Sequence, residues 1–153
     1  MLHMVNLKLQ LEMSKKKNLT AETTLKIRFS EVDSMGVVWH GSYVKYLEDA
    51  REAFGAQHGL SYLFVFDNGF FTPLVSLDIL YKAPLVYGDE VTVKAIFIET
   101  EAAKIIFEYE VINAKTGKLC VTAKSVQTFL NKEYELELYA PEFYLNWKKE
   151  HLK

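Results

Sequence analysis

Hydrophobic residues between positions 43 and 54 recur every three or four residues, which is the spacing of a helix with one buried face. They are Tyr43, Tyr46, Leu47, Ala50, Ala53 and Phe54, with charged side chains on the opposite face. Ser42 suits the N-cap position, and Gly55 or Gly59 suits the C-terminal end. The pattern predicts an amphipathic helix that begins directly after His40 and packs one face on a core.

Hydrophobic and polar residues alternate in five other segments, and this period of two predicts strands. The first runs from about Thr23 to Phe29, and four more follow the helix. Their apolar positions span Val75–Tyr81, Val91–Phe97, Ile105–Val111 and Leu119–Leu130. Hairpin turns at Tyr87-Gly88-Asp89 and at 114–117 connect neighbouring strands. The order strand, helix, four strands predicts an α+β domain with a largely antiparallel sheet and one helix on a face.

Segments outside this pattern complete the predicted domain organisation. Residues 1–13 also alternate and permit a strand, but a polar run follows, so we expect 1–22 to be an N-terminal extension with some disorder. The domain proper is expected at 23–137. Pro141 suits the first turn of a short helix within 138–153 that packs on the domain through Phe143, Tyr144 and Trp147. The segment after the helix is expected to be a loop, and its aromatic residues within 62–71 are expected to line a pocket or a subunit contact.

Length and charge narrow the functional classes. A chain of 153 residues fits one domain, and a net charge of -2 gives no reason to expect nucleic acid as a partner. No apolar run reaches the roughly 20 residues of a membrane span, and no signal peptide is apparent. The single cysteine, Cys120, excludes an intrachain disulfide, so we expect a cytoplasmic protein. One helix covers too little of the sheet, which predicts a homodimer or homotetramer.

The candidate chemistry is that of an acid beside a helix N-terminus. Motifs for phosphate loops, dinucleotide sites, serine hydrolases and zinc peptidases are absent from the sequence, and its histidines and cysteine lack metal-ligand spacing. We therefore expect no metal and no cofactor. Asp33 lies in the loop before the helix, whose first N–H groups point back toward that loop. A carboxylate can act as general base or nucleophile, while helix N–H groups stabilise a developing oxyanion, and thioesters suit such a site.

Each of these residues also has a structural interpretation. Asp33, in Asp-Ser-Met-Gly, could simply form an Asx turn, and His40 before a helix is more often a packing or hydrogen-bonding residue. Glu48 could form a solvated surface pair with Arg51 or Lys45. Single residues do not decide between these interpretations.

The combined pattern is more specific. It reads Phe29-x-Glu31-x-Asp33-x-x-Gly36-Val37-Val38-Trp39-His40-Gly41-x-Tyr43-x-x-Tyr46-x-Glu48-x-x-Arg51, followed by Tyr81-x-x-Pro84-x-x-x-Gly88-Asp89. This closely resembles the 4-hydroxybenzoyl-CoA thioesterase family, including its YbgC-like acyl-CoA thioesterases, over about 115 residues, 23 to 137. The resemblance implies the hotdog fold, an antiparallel five-stranded sheet wrapped around one long helix in the order β-α-β-β-β-β.

The resemblance also implies roles for individual residues. The acid that matches Asp33 is catalytic in the family, as base or nucleophile, and the residue that matches His40 contributes a backbone N–H that polarises the thioester carbonyl. Some YbgC-like members have a tyrosine where this chain has Phe29, so any role of that hydroxyl is absent here or is taken by Tyr43, Tyr46 or water.

Together these features predict an acyl-CoA thioester hydrolase. Asp33 and His40 are the catalytic candidates, with the N–H groups of His40 and Gly41 as the oxyanion site. The candidate substrate-pocket residues are Phe29, Val38, Trp39, Tyr43, Tyr46 and Tyr81. An acyl-carrier-protein thioesterase and a non-catalytic hotdog module that binds acyl thioesters are alternatives, although an intact Asp33 argues against the latter. Hydratase chemistry is a third alternative on this fold. Hydratases, however, place Asp and His closer together with a proline between them, whereas Asp33 and His40 are seven positions apart and no proline intervenes.

Overall fold

The computed structural model describes residues 2–6 and 18–152. After β1 (Thr20–Lys26), two 3-10 turns (Phe29–Glu31 and His40–Ser42) lead into helix α1 (Tyr43–His58). A short helix, α2 (Tyr62–Asp67), and strands β2 (Phe70–Phe71), β3 (Leu74–Tyr81), β4 (Glu90–Ile98), β5 (Lys104–Asn113), β6 (Leu119–Thr128) and β7 (Leu130–Asn131) follow. Helix α3 (Glu142–His151) closes the described chain.

Five strands form one antiparallel sheet in the order β1-β4-β5-β6-β3, and β2 pairs with β7 in a separate ribbon. The sheet exists because alternate residues of its strands are apolar. In β4, for example, Val91, Val93, Ala95 and Phe97 are buried. The predicted α+β hotdog architecture, with its strand, helix and four strands, is confirmed.

Helix α1 packs its apolar face against one side of the sheet. Phe54 is fully buried, with its ring 5.9 Å from that of Phe97 and 4.8 Å from that of Phe107. The chain can turn away directly after the helix because Gly59 adopts φ 73°, a left-handed conformation that suits glycine. Helix α1 therefore ends at the second of the two predicted glycines.

Several local predictions are wrong. β1 begins at Thr20 and ends at Lys26, so Phe29 lies in a 3-10 turn and not in the strand. The aromatic segment after α1 contains helix α2 and strand β2, because Ser61 caps the helix by accepting a hydrogen bond from the Phe64 N–H at 3.1 Å. Residues 2–6 are helical, while the rest of the permitted strand, 7–13, lies outside the described residues.

The C-terminal helix forms where Pro141 predicted it. Tyr144 and Trp147 are buried against the domain, and the Trp147 indole N–H donates to the His58 carbonyl at 2.7 Å. This contact fastens α3 to the C-terminal end of α1. The division into an extension, a domain at 23–137 and a C-terminal segment stays a prediction.

Candidate active site

The loop between β1 and α1 is a short hairpin docked on the core. Val32 and Val38 form an antiparallel bridge, and the Asp33 N–H donates to the Val37 carbonyl at 2.8 Å. Val37 bridges Val86 in turn, and the Val38 N–H donates to the Leu85 carbonyl at 2.9 Å. These main-chain bonds and the buried Val38 side chain hold the loop against the core.

Asp33 lies at the tip of this hairpin. Its Oδ1 accepts a hydrogen bond from the Met35 N–H at 2.8 Å, which is the Asx turn of the structural interpretation. Gly36 completes the turn with φ 79° and donates its N–H to the Asp33 carbonyl at 3.0 Å. This turn fixes the Asp33 backbone and one carboxylate oxygen at a half-buried position.

The 3-10 turn His40–Ser42 stands at the other end of the hairpin and leads into α1. The Glu31 carbonyl accepts two hydrogen bonds at 2.9 Å, one from the Trp39 N–H and one from the Ser42 hydroxyl. Ser42 occupies the N-cap position that the sequence predicted, but its side chain makes no capping hydrogen bond, because its backbone is already helical and its hydroxyl ties α1 to the preceding segment. The N–H groups of His40 and Gly41 precede the first hydrogen bond of this turn, which Ser42 donates to Trp39.

The hairpin register separates the two predicted catalytic groups. Asp33 pairs with Val37, three residues before His40, so about 10 Å of extended chain, at roughly 3.3 Å per residue, lies between the Asp33–Val37 pair and His40. Within residues 18–152, no hydrogen bond joins the Asp33 carboxylate to His40 or Gly41.

The Trp39 ring packs directly over Gly41. A Cβ atom on Gly41 would lie 2.2 Å from the Trp39 ring, so only glycine fits here without a shift of the indole. The same ring lies 4.8 Å from the His40 imidazole. Trp39 is 51% exposed, so it covers the turn on the solvent side and is not a core residue.

The structure separates the remaining pocket candidates into groups. Tyr43 is buried between the rings of Tyr46 and Tyr81, at 5.7 and 5.4 Å, and burial raises the pKa of Tyr43 to about 12. The Tyr81 hydroxyl donates to the His40 carbonyl at 2.8 Å. Phe29, by contrast, lies with Tyr46 in the wall of a separate cleft. Tyr46 therefore belongs to both groups, because it contacts Tyr43 and also lines the cleft beside Phe29.

Glu31 is a site residue that the sequence analysis did not single out. The residue is only 6% exposed, its Oε1 accepts the Arg28 N–H at 2.8 Å and its Oε2 lies 3.4 Å from the Lys45 ammonium. The buried Tyr46 hydroxyl has no hydrogen-bond partner among the described residues. Burial, and then the charge of Glu31, raise the pKa of Tyr46. The signal for Glu31 was its fixed place in the motif, two residues before Asp33.

A cavity of about 930 Å³ lies beside α1, between α2 and strands β5 and β6. Its walls are mostly apolar and include Leu60, Val65, Ile105 and Phe107. Tyr62, Leu63 and Phe71 also line it, so the aromatic segment contributes to a pocket as predicted. Glu48 and Arg51 form an ion pair in its wall, and neither of them pairs with the turn that carries His40.

Among the residues that the structure describes, no three His, Cys, Asp or Glu side chains are grouped as a metal ion would require. In the same part of the chain, none of the helices has the length and hydrophobicity to cross a bilayer.

Comparisons with known proteins agree with this geometry. Residues 27–147 match the Thioesterase-like superfamily. The chain is 30% identical, over 109 residues, to YneP of Bacillus subtilis, which is named provisionally as an acyl-CoA thioesterase; the match covers 71% of this chain and 78% of YneP. It is 29% identical to the chloroplastic acyl-acyl carrier protein thioesterase ATL3 of Arabidopsis thaliana, covering 74% of this chain and 60% of ATL3. The crystal structure of DHNA-CoA thioesterase from Staphylococcus aureus superposes with a TM-score of 0.75 at 26% identity, covering 85% of this chain and 89% of that one.

The chain therefore belongs to the thioesterase-like superfamily of hotdog proteins. This confirms the family suggested by the motif, and with it the prediction of a thioester hydrolase. Membership of the YbgC-like branch stays a prediction.

Proposed function

We propose that this protein hydrolyses acyl-CoA thioesters, with Asp33 as general base or nucleophile and the N–H groups of His40 and Gly41 as the oxyanion site. The observation that supports this most directly is that one hairpin carries both parts. The Val32–Val38 bridge fixes Asp33, and the Glu31 carbonyl on the same hairpin fixes the turn of His40 and Gly41. Catalysis by preorganised groups depends on such a fixed relative position.

In the general-base route, the Asp33 carboxylate takes a proton from water as the water oxygen bonds to the thioester carbon. The carbonyl oxygen becomes an oxyanion that accepts hydrogen bonds from the two N–H groups. The C–S bond then breaks, the carboxylic acid is released, and the CoA thiolate takes up the proton. In the nucleophilic route, Asp33 bonds to the acyl carbon, CoA leaves, and water hydrolyses the anhydride.

The apolar cavity beside α1 suits the acyl group. Glu48 in its wall lies seven residues after Gly41, which is about 10 Å along a helix at 1.5 Å per residue. An acyl chain whose carbonyl is held at the helix N-terminus could run along α1 to this cavity, where Leu60, Val65 and Phe107 would bury it.

A carrier-protein thioester is the second candidate substrate, and the similarity to ATL3 supports it. The chemistry at the carbonyl would be the same, so the choice depends on what binds the rest of the thioester. A non-catalytic module that only binds acyl thioesters would not need Asp33.

We further propose that the protein is a cytoplasmic homodimer or homotetramer.

The test is thiol release from short, medium, long and aromatic acyl-CoAs and from carrier protein loaded with the same acyl groups. The wild type is compared with Asp33→Asn and Asp33→Ala. We expect kcat to fall about 10²- to 10⁴-fold in both variants, the usual contribution of a positioned acid or base. Asp67→Asn, at an exposed acid at the end of α2, is the matched control and should keep full activity. Folding is checked by circular dichroism. Equal activity of Asp33→Ala and wild type, or no release from any substrate, would show that the proposal is wrong.

A further inference from the structure

A second cleft, also of about 930 Å³, lies beside the Phe29–Glu31 turn. No part of a substrate has been assigned to it so far. Its walls come from the end of β1, the loops that follow β1 and precede β4, and the outer face of α1. Glu31 belongs to both sites, because its side chain lines this cleft while its carbonyl holds the His40–Ser42 turn. Glu31 therefore links the wall of this cleft to the turn that carries the proposed oxyanion site.

Two exposed aromatic rings stand in the wall of this cleft. Phe29 is 77% exposed and Tyr87 is 62% exposed, and their rings meet edge to face with centroids 6.0 Å apart. Large rings that remain in water on two separate loops indicate a binding surface. The planar bases of nucleotides stack on such rings, whichever base it is.

The charges of the cleft are divided between its two sides. Lys26 and Arg28 project from the β1 side, are exposed, and form no ion pair within residues 18–152. Acidic residues come from the turn and from α1: Glu31 is neutralised by Lys45, and Glu48 by Arg51. Asp49, on the helix side, is the remaining acid of the wall. The two cations without an ion pair thus lie on the same side as the aromatic rings.

We propose that this cleft binds the phosphorylated nucleotide end of a CoA thioester. The adenine stacks on Phe29 and Tyr87, and Lys26 and Arg28 bind the phosphates. A local cationic site is required because CoA is an anion and the whole chain carries a net charge of -2. The inference rests on the proposed acyl-CoA thioesterase function and selects CoA over a carrier protein, which lacks the nucleotide.

Binding is tested with adenosine 3′,5′-bisphosphate, a CoA fragment without a thioester, by calorimetry on the full chain. We expect the Kd to rise at least tenfold in Lys26→Ala/Arg28→Ala and in Phe29→Ala. Lys115→Ala/Lys149→Ala removes the same charge from two exposed positions outside the cleft and should bind as the wild type does. Equal binding by the wild type and Lys26→Ala/Arg28→Ala would overturn the proposal.

Kinetics separate this inference from the proposed function. With acyl-CoA, the KM of Lys26→Ala/Arg28→Ala should rise about tenfold while kcat stays unchanged; with the acyl-pantetheine of the same acyl group, both parameters should match the wild type. Hydrolysis of both substrates by the wild type without any binding of the bisphosphate would overturn the cleft and leave the hydrolase intact. Bisphosphate binding without hydrolysis of either substrate would overturn the hydrolase and leave the cleft intact. A Phe29→Ala variant with altered oligomer mass and unchanged affinity would show that the rings form a subunit contact instead.

Discussion

The Tyr81 hydroxyl donates a hydrogen bond of 2.8 Å to the His40 carbonyl, and so joins the last residue of β3 to the turn before α1. The acceptor belongs to the peptide unit that also carries the Gly41 N–H, and the carbonyl and N–H of a trans peptide point in opposite directions. Tyr81 therefore fixes the direction in which the Gly41 N–H points. A hydrogen bond to the carbonyl also polarises the peptide and strengthens its N–H as a donor.

Replacing Tyr81 by phenylalanine tests this relationship. Loss of a whole oxyanion donor costs about 10²- to 10³-fold in kcat, so a donor that is only less well oriented should cost about tenfold, with little change in KM. Steady-state kinetics on the best acyl-CoA measure the effect. Tyr139→Phe, at an exposed tyrosine, is the matched control. A Tyr81→Phe variant with wild-type kcat would show that Tyr81 does not position the turn.

Gly41→Ala should reduce kcat at least tenfold, because its Cβ would meet the Trp39 ring at 2.2 Å and one of the two must move. The double variant Trp39→Ala/Gly41→Ala removes the obstructing ring, and should recover part of the lost activity. Steady-state kinetics of Trp39→Ala, Gly41→Ala and the double variant form a double-mutant cycle. Additive losses in the double variant would mean that the contact between ring and backbone does not govern the turn.

Tyr46→Phe should leave the free energy of unfolding unchanged or slightly increased. The Tyr46 hydroxyl is buried without a partner among the described residues, and removing such a group is neutral or favourable. Tyr109→Phe is the contrasting variant, since the Tyr109 hydroxyl pairs with the Ser125 hydroxyl at 2.8 Å, and its loss should cost about 1 kcal/mol. Denaturant unfolding measures both variants. A clear loss of stability in Tyr46→Phe would reveal a hydrogen bond from Tyr46, with the neighbouring Glu31 as the first acceptor to examine.

Alkaline pH should destabilise the fold through its buried tyrosines. Burial raises the pKa of Tyr43 from 10.0 to about 12, so between these values the folded state holds a proton that the unfolded state has released. The stability contributed by the neutral hydroxyl is fully present below pH 10 and is lost as the pH rises through about 12. Denaturant unfolding across this range should show a shallower decline for Tyr43→Phe than for the wild type. Identical pH profiles would show that Tyr43 ionises equally in both states.

The main elements could be predicted from the sequence because their patterns reflect burial on one side. The spacing of Tyr43, Tyr46, Leu47 and Phe54 predicted α1, and alternation predicted the strands of the five-stranded sheet. Helix α2 was missed because its six residues are nearly all apolar or aromatic, and such a run has no helical period. Its start depended on the Ser61 cap, a local hydrogen bond that an aromatic-rich segment conceals.

The site was predictable as a set of residues, but its geometry was not. The sequence placed Asp33 and His40 seven residues apart, yet their separation depends on the hairpin register set by Val32 and Val38. Ser42 was assigned as a cap because its residue type suits that position, whereas its hydroxyl bonds to Glu31, eleven residues earlier. Contacts across such a distance in sequence are fixed by tertiary packing, which local patterns do not contain.

The exposed edge of the sheet provides the test of the proposed homo-oligomer. Strand β3 (Leu74–Tyr81) pairs with β6 on one side only, and its Val75 and Leu80 side chains are largely exposed. An apolar edge strand is a surface on which a second copy can pair, and lysines on such a strand prevent pairing. We expect Val75→Lys/Leu80→Lys to have the mass of one subunit by light scattering, while the wild type and Leu138→Lys, a change at an exposed leucine outside the sheet, remain oligomeric. An unchanged mass in the double variant would place the subunit contact elsewhere, and a monomeric wild type would refute the homo-oligomer.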